Sequence, residues 1–207
     1  TNWSNFSYAT ANFLGPVLSY EVVTAFFLEA AFLGVLLFGR DKVPQGVHLF
    51  AAIMVALGTF ISSFWILAAN SLMHTPDGLV LRDGLYYVAS WRDSIFNPSF
   101  GYRFMHMALA SFLTASFVVA GVTAWFIMQK RELEANKKAL SISLWLILIL
   151  APAQVLVGDF HGLNTLKHQP MKVAAMEGNW ETGTGVPLLL FALPDQENQQ
   201  NLFEIKI

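Results

Sequence analysis

Four apolar stretches dominate the chain, at about Pro16–Phe38, Leu49–Ala69, Phe104–Met128 and Leu140–Val157. Polar and charged residues collect in the segments between them. The first three stretches reach the roughly 20 residues with which a helix crosses about 30 Å of hydrocarbon. The fourth is shorter and contains Pro152, whose freed carbonyl a neighbouring helix can satisfy. No stretch needs to be strand, and there is no series of alternating ten-residue segments of the outer-membrane barrel kind. The pattern predicts an all-α, polytopic transmembrane helix bundle with four spans over residues 1–157, followed by a polar segment, 158–207.

Charge orients the bundle. The connection after the first span carries Arg40 and Lys42, and that after the third carries Lys130, Arg131, Lys137 and Lys138. Both fall on one side, which the positive-inside rule assigns to the cytoplasm. The connection Ser71–Pro98 balances Arg82 and Arg92 against Asp77, Asp83 and Asp93. It is expected to face outward, as is the tail from Gly158. Composition agrees: 13% of residues are charged and 55% hydrophobic, whereas soluble domains carry about 25% charged residues. Cysteine is absent, which excludes a disulfide framework, a zinc thiolate site and an iron–sulfur cluster. No basic stripe points to nucleic acid. Thr1-Asn-Trp-Ser reads as the middle of a loop and there is no signal peptide, so a fragment of a longer membrane protein is expected.

Glu21 and Glu29 break the first apolar stretch. A charged carboxylate at a helix centre costs roughly 2.5–3.5 kcal/mol even on insertion scales, so such residues face a cavity, a cofactor or a proton path. A spacing of eight residues turns a helix through about 800°, about 80° net, and lifts it about 12 Å. That suits a carboxylate relay better than one chelating site. The plainer alternative is one glutamate buried neutral and one snorkelling at the interface.

His106 lies a few residues inside the third span, followed by the small residues Ala108, Ala110, Ser111 and Ala115. Neutral imidazole is a common axial ligand of haem iron, and small residues make room for a flat macrocycle. They also serve ordinary helix contacts, and a histidine bonded to a neighbouring carbonyl fits equally well. Met105 and Met107 point to other helix faces. His48 sits at the edge of the second span, and His74, His161 and His168 are expected in loops outside the membrane. In the tail, Pro170 opens a helix-forming run holding Lys172 and Glu177. Five apart, they are not an ideal ion pair. They either reach a small polar ligand or are solvated charges on a short helix. Trp180 beside Glu181 fits an interfacial anchor.

Several motifs in order along nearly the whole chain resemble subunit I of the cytochrome bd quinol oxidases. They are Asn2-Trp-Ser, Glu21 with Phe26-Phe-Leu-Glu29, Phe38-Gly, Trp65-Ile-Leu-Ala-Ala-Asn-Ser-Leu-Met-His-Thr-Pro76, Arg103-Phe-Met-His106 and Gly158-Asp. Gln169-Pro-Met-Lys172, Ala174-Ala-Met-Glu177, Trp180-Glu-Thr182 and Leu193-Pro-Asp-Gln-Glu-Asn198 complete the set. The compact stretch from Gly158 to Trp180 resembles the shorter-loop, cyanide-insensitive branch.

The resemblance implies a quinol:oxygen oxidoreductase of the bacterial inner membrane that separates charge without a pump. Glu21 and Glu29 then match carboxylates on the proton path to the oxygen-reducing haems, with Glu21 the closer. His106 matches the axial ligand of the low-spin haem b. Lys172 and Glu177 match the quinol site of an outward-facing loop, 158–207. The implied cofactors are low-spin haem b, high-spin haem b, and haem d or a second high-spin haem b. The implied partners are subunit II, membrane lipid, ubiquinol or menaquinol, and O2. The remaining haem ligands are expected outside these 207 residues, which alone are not expected to turn over. The rival from another class is a proton-coupled transporter using Glu21 and Glu29, but only Pro152 interrupts a span and the broken helices of transporters are missing. A non-catalytic anchor leaves two acids and a histidine in hydrocarbon unexplained.

Overall fold

The computed structural model describes residues 3–207. Thr1 and Asn2 lie outside the described residues, and with Asn2 goes the first residue of the Asn2-Trp-Ser motif. The chain divides into two compact units, Thr1–Gly158 and Asp159–Ile207.

Among the described residues, four helical segments are long and apolar enough to cross a membrane: Ala11–Phe38, Gln45–His74, Phe100–Met128 and Leu133–His168. The first is composite, with α2 (Ala11–Glu21), a π-helical turn (Val22–Phe26) and α3 (Phe27–Phe38) in line. The others are α4 (Gln45–His74), α6 (Phe100–Met128) and α7 (Leu133–His168). Each runs beyond the apolar stretch that marks it, because nothing stops a helix where hydrocarbon ends. Helix α7 carries Pro152 inside it without a break. It stops only where Pro170 follows Gln169, since the residue before a proline is pushed out of the α region.

Three expectations need correction. Trp3 and Ser4, expected in a loop, open helix α1 (Trp3–Ala9). That helix closes where Thr10 donates both its amide, at 2.9 Å, and its hydroxyl, at 2.7 Å, to the Phe6 carbonyl. Phe6 packs against a core of Phe13, Leu14, Val17, Ala69 and Leu72, which gives the helix its reason to form. His74, His161 and His168 lie in helices α4 and α7 rather than in loops. Finally, the connection after α4 is not simply loop. It folds into a hairpin of β1 (Leu79–Arg82) and β2 (Leu85–Val88), then a short helix α5 (Trp91–Ile95). Its two-residue turn, Asp83-Gly84, has positive φ at both positions (51° and 78°), as the tight hairpin turns require.

A satisfied polar network pins this connection down. Asn97 donates to Ser71 Oγ at 2.8 Å and accepts from Thr75 Oγ1 at 2.9 Å, all three buried. Between α4 and α6 the contact is aromatic, with Phe64 edge-on to both Phe100 and Phe104 at centroid distances of 5.1 and 5.9 Å.

The second unit contains α8 (Pro170–Glu177) and a hairpin of β3 (Leu189–Asp195) and β4 (Gln200–Lys206). Helix α8 begins with proline at its first turn and ends at Gly178, whose φ of 67° is left-handed, the usual helix stop. A Cβ at Gly178 would meet the Leu189 side chain at 3.2 Å, so glycine also lets the helix end approach the hairpin.

Candidate functional site

The two membrane glutamates share one stripe of α4. Ser62 Oγ donates to Glu21 Oε1 at 2.8 Å. One helical turn earlier, Gly58 lies so close to Glu29 that a Cβ there would stand 2.6 Å from the Glu29 Cγ. Both glutamates are half-buried. Regular α-helix leaves them about 80° apart. The π turn between them accommodates roughly one extra residue and so takes up about 100°, which brings them to within about 20° of one face. The turn is held from outside and inside. Trp65 of α4 donates to Thr24 Oγ1 at 3.0 Å and stacks on Tyr20 at 5.5 Å. Thr24 in turn donates back to the Tyr20 carbonyl at 2.6 Å, a bond that bends helices.

His106 is half-buried on α6 and faces α7. The side-chain amide nitrogen of Gln154 lies 3.2 Å from its Nδ1 and 3.1 Å from its Nε2. One turn further along α7, Gly158 packs beside the ring, where a Cβ would come 3.4 Å from Cε1, an ordinary contact. One turn before His106, Arg103 is also half-buried. Its Nη1 donates to Asn70 Oδ1 at 3.1 Å, while its Nε is buried without a partner. The site therefore combines an imidazole, a cation one turn away and a glycine packed beside the ring. Met105 and Met107 are each 52% exposed and point away.

In the second unit, Lys172 and Glu177 are both exposed on α8, about 140° apart around the helix. No ion pair joins them among the described residues. Glu177 lines a cleft of about 680 Å3 with Met171, Ala174, Trp180, Phe191 and Asn201. Lys172 is not part of that lining. Glu177 Oε2 accepts from Asn179 Nδ2 at 3.3 Å. Asn201 holds the cleft together: it accepts from Trp180 Nε1 at 3.0 Å and donates to the Gly178 carbonyl at 2.9 Å. Its amide also donates to Glu204 Oε2 at 3.2 Å. Lys206 first, and Asn201 second, hold the Glu204 carboxyl below the usual carboxylate range.

The family model for cytochrome bd terminal oxidase subunit I matches residues 1–207. The chain belongs to that family. Among curated relatives of this subunit I chain, the Bacillus subtilis cytochrome bd ubiquinol oxidase subunit 1 is 33% identical over 207 residues, all of this chain and 44% of its own. The Escherichia coli cytochrome bd-II ubiquinol oxidase subunit 1 is 31% identical over 210 residues, 41% of its own length. The solved bd oxidase of Geobacillus thermodenitrificans superposes with a TM-score of 0.83 at 32% identity, covering 99% of this chain and 47% of that one. The chain thus spans less than half the length of the curated relatives it matches. Within it, Ser62, Gly58, Gln154, Gly158 and Asn201 are site neighbours that spacing along the sequence did not single out. Only the polar residues inside apolar spans, Ser62 and Gln154, left a trace there.

Proposed function

We propose that this chain is the electron- and proton-handling portion of a haem-containing quinol:oxygen oxidoreductase in the bacterial inner membrane. Quinol is oxidised at the outer face, O2 is reduced to water in aerobic respiration, and subunit II completes the enzyme. Curated relatives are named ubiquinol oxidases, and another is named a putative menaquinol oxidase, so the substrate class is a quinol. The observation that carries the reading is His106 itself: a half-buried imidazole inside a span, with the half-buried Arg103 guanidinium one turn away. Those residues fit a haem: the imidazole is a ligand for its iron and the guanidinium a partner for its propionates.

His106 would hold the iron of a low-spin haem b, and Arg103 would offer N–H donors to its carboxylates. Low-spin and high-spin haem b, with haem d or a second high-spin haem b, supply one-electron transfer and oxygen reduction when bound. The protein's own work lies on either side. At the cleft of α8, the rings of Trp180 and Phe191 suit a flat quinol head. Glu177 takes a quinol hydroxyl proton and passes it to outside water, while Lys172 contributes positive charge at the same helix. On the opposite route, protons for water come from the cytoplasm through Glu29 and then Glu21. Ser62 keeps Glu21 oriented, and its hydroxyl can accept one proton while giving up another. Electrons and protons meet from opposite sides, so charge is separated without a pump. The broad exposed apolar faces, such as Trp145 and Ile149 at 64% each, suit lipid and partner helices.

The test is a reduced-minus-oxidised spectrum of the full-length enzyme with subunit II, beside His106→Ala. The low-spin haem b α-band is expected to vanish in the variant. A band that survives, or no haem in either sample, refutes the assignment.

A further inference from the structure

Asn201 commits its whole side-chain amide to one corner of the cleft in the second unit. Its Oδ1 accepts from Trp180 Nε1 at 3.0 Å, and its Nδ2 donates to the Gly178 carbonyl at 2.9 Å and to Glu204 Oε2 at 3.2 Å. These partners fix which way the amide points. Turned over, it would set its oxygen against a carbonyl and a carboxylate, and its N–H groups against the indole N–H.

The hairpin is shaped to place that amide. Asn201 stands opposite Pro194, at a shift in register between Leu193 and Pro194. Proline has no N–H to give to the ladder, and irregularities of this kind re-aim a side chain. Gly178 lets the end of α8 come close, since a Cβ there would stand 3.2 Å from Leu189 Cδ1 and 3.6 Å from Asn201 Nδ2. Trp180 has its N–H satisfied by the protein and still is 39% exposed. What it offers the cleft is therefore ring face rather than a polar handle.

Resting on the reading of this cleft as the quinol site, we propose that Asn201 is its positioning residue: it holds the Trp180 ring at a set distance from Glu177. A quinol head stacked on the indole then brings a hydroxyl to the carboxylate. Glu177, Trp180 and Asn201 all line the cleft. Gly178 and Asn179 alone join the glutamate to the tryptophan, and without the amide that short link lets the ring swing away.

The measurement is oxygen uptake by the full oxidase against the concentration of a soluble quinol. It compares wild type, Asn201→Ala, Asn201→Asp and Asn198→Ala, with the haem difference spectrum reporting assembly. Alanine removes the amide, and KM should rise about tenfold with kcat held within about twofold. Aspartate has the same shape and keeps an acceptor for the indole, but turns an oxygen toward the Gly178 carbonyl and the Glu204 carboxylate. Its KM should rise at least as far as that of the alanine variant. Asn198→Ala breaks the 2.7 Å bond to Asp195 in the turn of the same hairpin, and Asn198 is not part of the cleft lining, so its KM should match wild type. Wild-type KM in the Asn201 variants, a KM for aspartate well below that for alanine, or an equal rise in Asn198→Ala overturns the proposal. Should neither Asn201 variant assemble with haem, Trp180→Phe decides: it keeps a ring and loses the N–H that Asn201 accepts, so its KM must rise, and wild-type KM there overturns the proposal. Glu177→Gln separates the two levels. If it shows wild-type quinol kinetics, the cleft is not the quinol site and both readings fall. If it is impaired while the Asn201 variants keep wild-type KM, only the role of Asn201 fails.

Discussion

Replacing Gly58 with alanine tests whether the α4 stripe holds Glu29 in place. The new Cβ would stand 2.6 Å from the Glu29 Cγ, and 3.3 Å from both the Ala25 carbonyl oxygen and the Glu29 amide nitrogen. Non-bonded carbons settle at about 3.5–4.0 Å, so the clash with Cγ is about 1 Å deep. Glu29 can relieve it by rotating, which swings its carboxyl off the stripe. The backbone contacts yield only if α3 and α4 part by a few tenths of an ångström. Overpacking of this kind costs about 1–3 kcal/mol, against about 1 kcal/mol gained from replacing a helical glycine by alanine.

Two consequences should appear together in the Gly58→Ala oxidase. Its thermal unfolding temperature should drop, and its oxygen uptake with a soluble quinol should slow toward the rate of Glu29→Gln. A misplacement of about 1 Å in a positioned group can slow turnover by about a hundredfold, which bounds the effect. The low-spin haem band should not change, because Asn70, which joins α4 to the His106 site through Arg103, lies about three turns along α4 from Gly58. Gly34→Ala is the control: nothing lies within 4 Å of the Cβ it would add on α3, so it should be neutral or slightly stabilising. Wild-type turnover and stability in Gly58→Ala would refute the reasoning, since the stripe would then not constrain Glu29.

The connection that holds the β1–β2 hairpin and the β3–β4 hairpin offer sharper structural tests. Gly78→Ala combines a φ of 63° with a Cβ only 2.6 Å from the Ser90 carbonyl oxygen, so about 1–2 kcal/mol of backbone strain adds to about 1–3 kcal/mol of overlap. Gly84→Ala has a φ of 78° but open space and should show the strain alone; limited proteolysis of residues 71–98 should rank them in that order. The Asp195 carboxyl is held below the usual carboxylate range, chiefly by the Asn198 side-chain amide, at 2.7 Å, and then by the Asn198 backbone N–H. With folded values depressed at Asp195 and Glu204, their stabilisation is complete above the ordinary carboxylate values of about 4 and is lost as pH falls through the depressed ones. Hydrogen exchange over 189–206, corrected for intrinsic rates, should show protection kept at pH 5 and lost on acidification below about pH 4, and Asp195→Asn should flatten that dependence.

The spans were legible because hydrocarbon demands uninterrupted apolar length, and length needs no tertiary knowledge. Their ends were not legible for the same reason. Gly158 to His168 continues α7 through Asp159, His161, Asn164 and Lys167, and only the proline beyond it stops the helix. The first hairpin did leave a local mark, since Asp83-Gly84 is a tight-turn pair. Four-residue strands outside a span carry too little alternation to be noticed beside it. The second hairpin has shifts in register near Phe191 and Pro194, which blur the two-residue period by which strands are read.

For the candidate site, residues were legible and relationships were not. Glu21, Glu29 and His106 stand out because each is expensive in hydrocarbon. Their neighbours cost less there and show their roles through contact: a serine against Glu21, a glycine against Glu29, an amide against His106. The two glutamates show why spacing alone falls short. A regular helix sets residues eight apart about 80° out of line, which argues weakly for a shared face. The π turn closes that gap, and its register is set by Trp65 and Thr24, residues 41 apart in sequence. A turn of this kind is unstable by itself and survives because a second helix holds it. Alignment of the two acids is thus a property of the α4 contact rather than of the segment that carries them, and the same eight-residue spacing in a helix lacking that contact would not make a column.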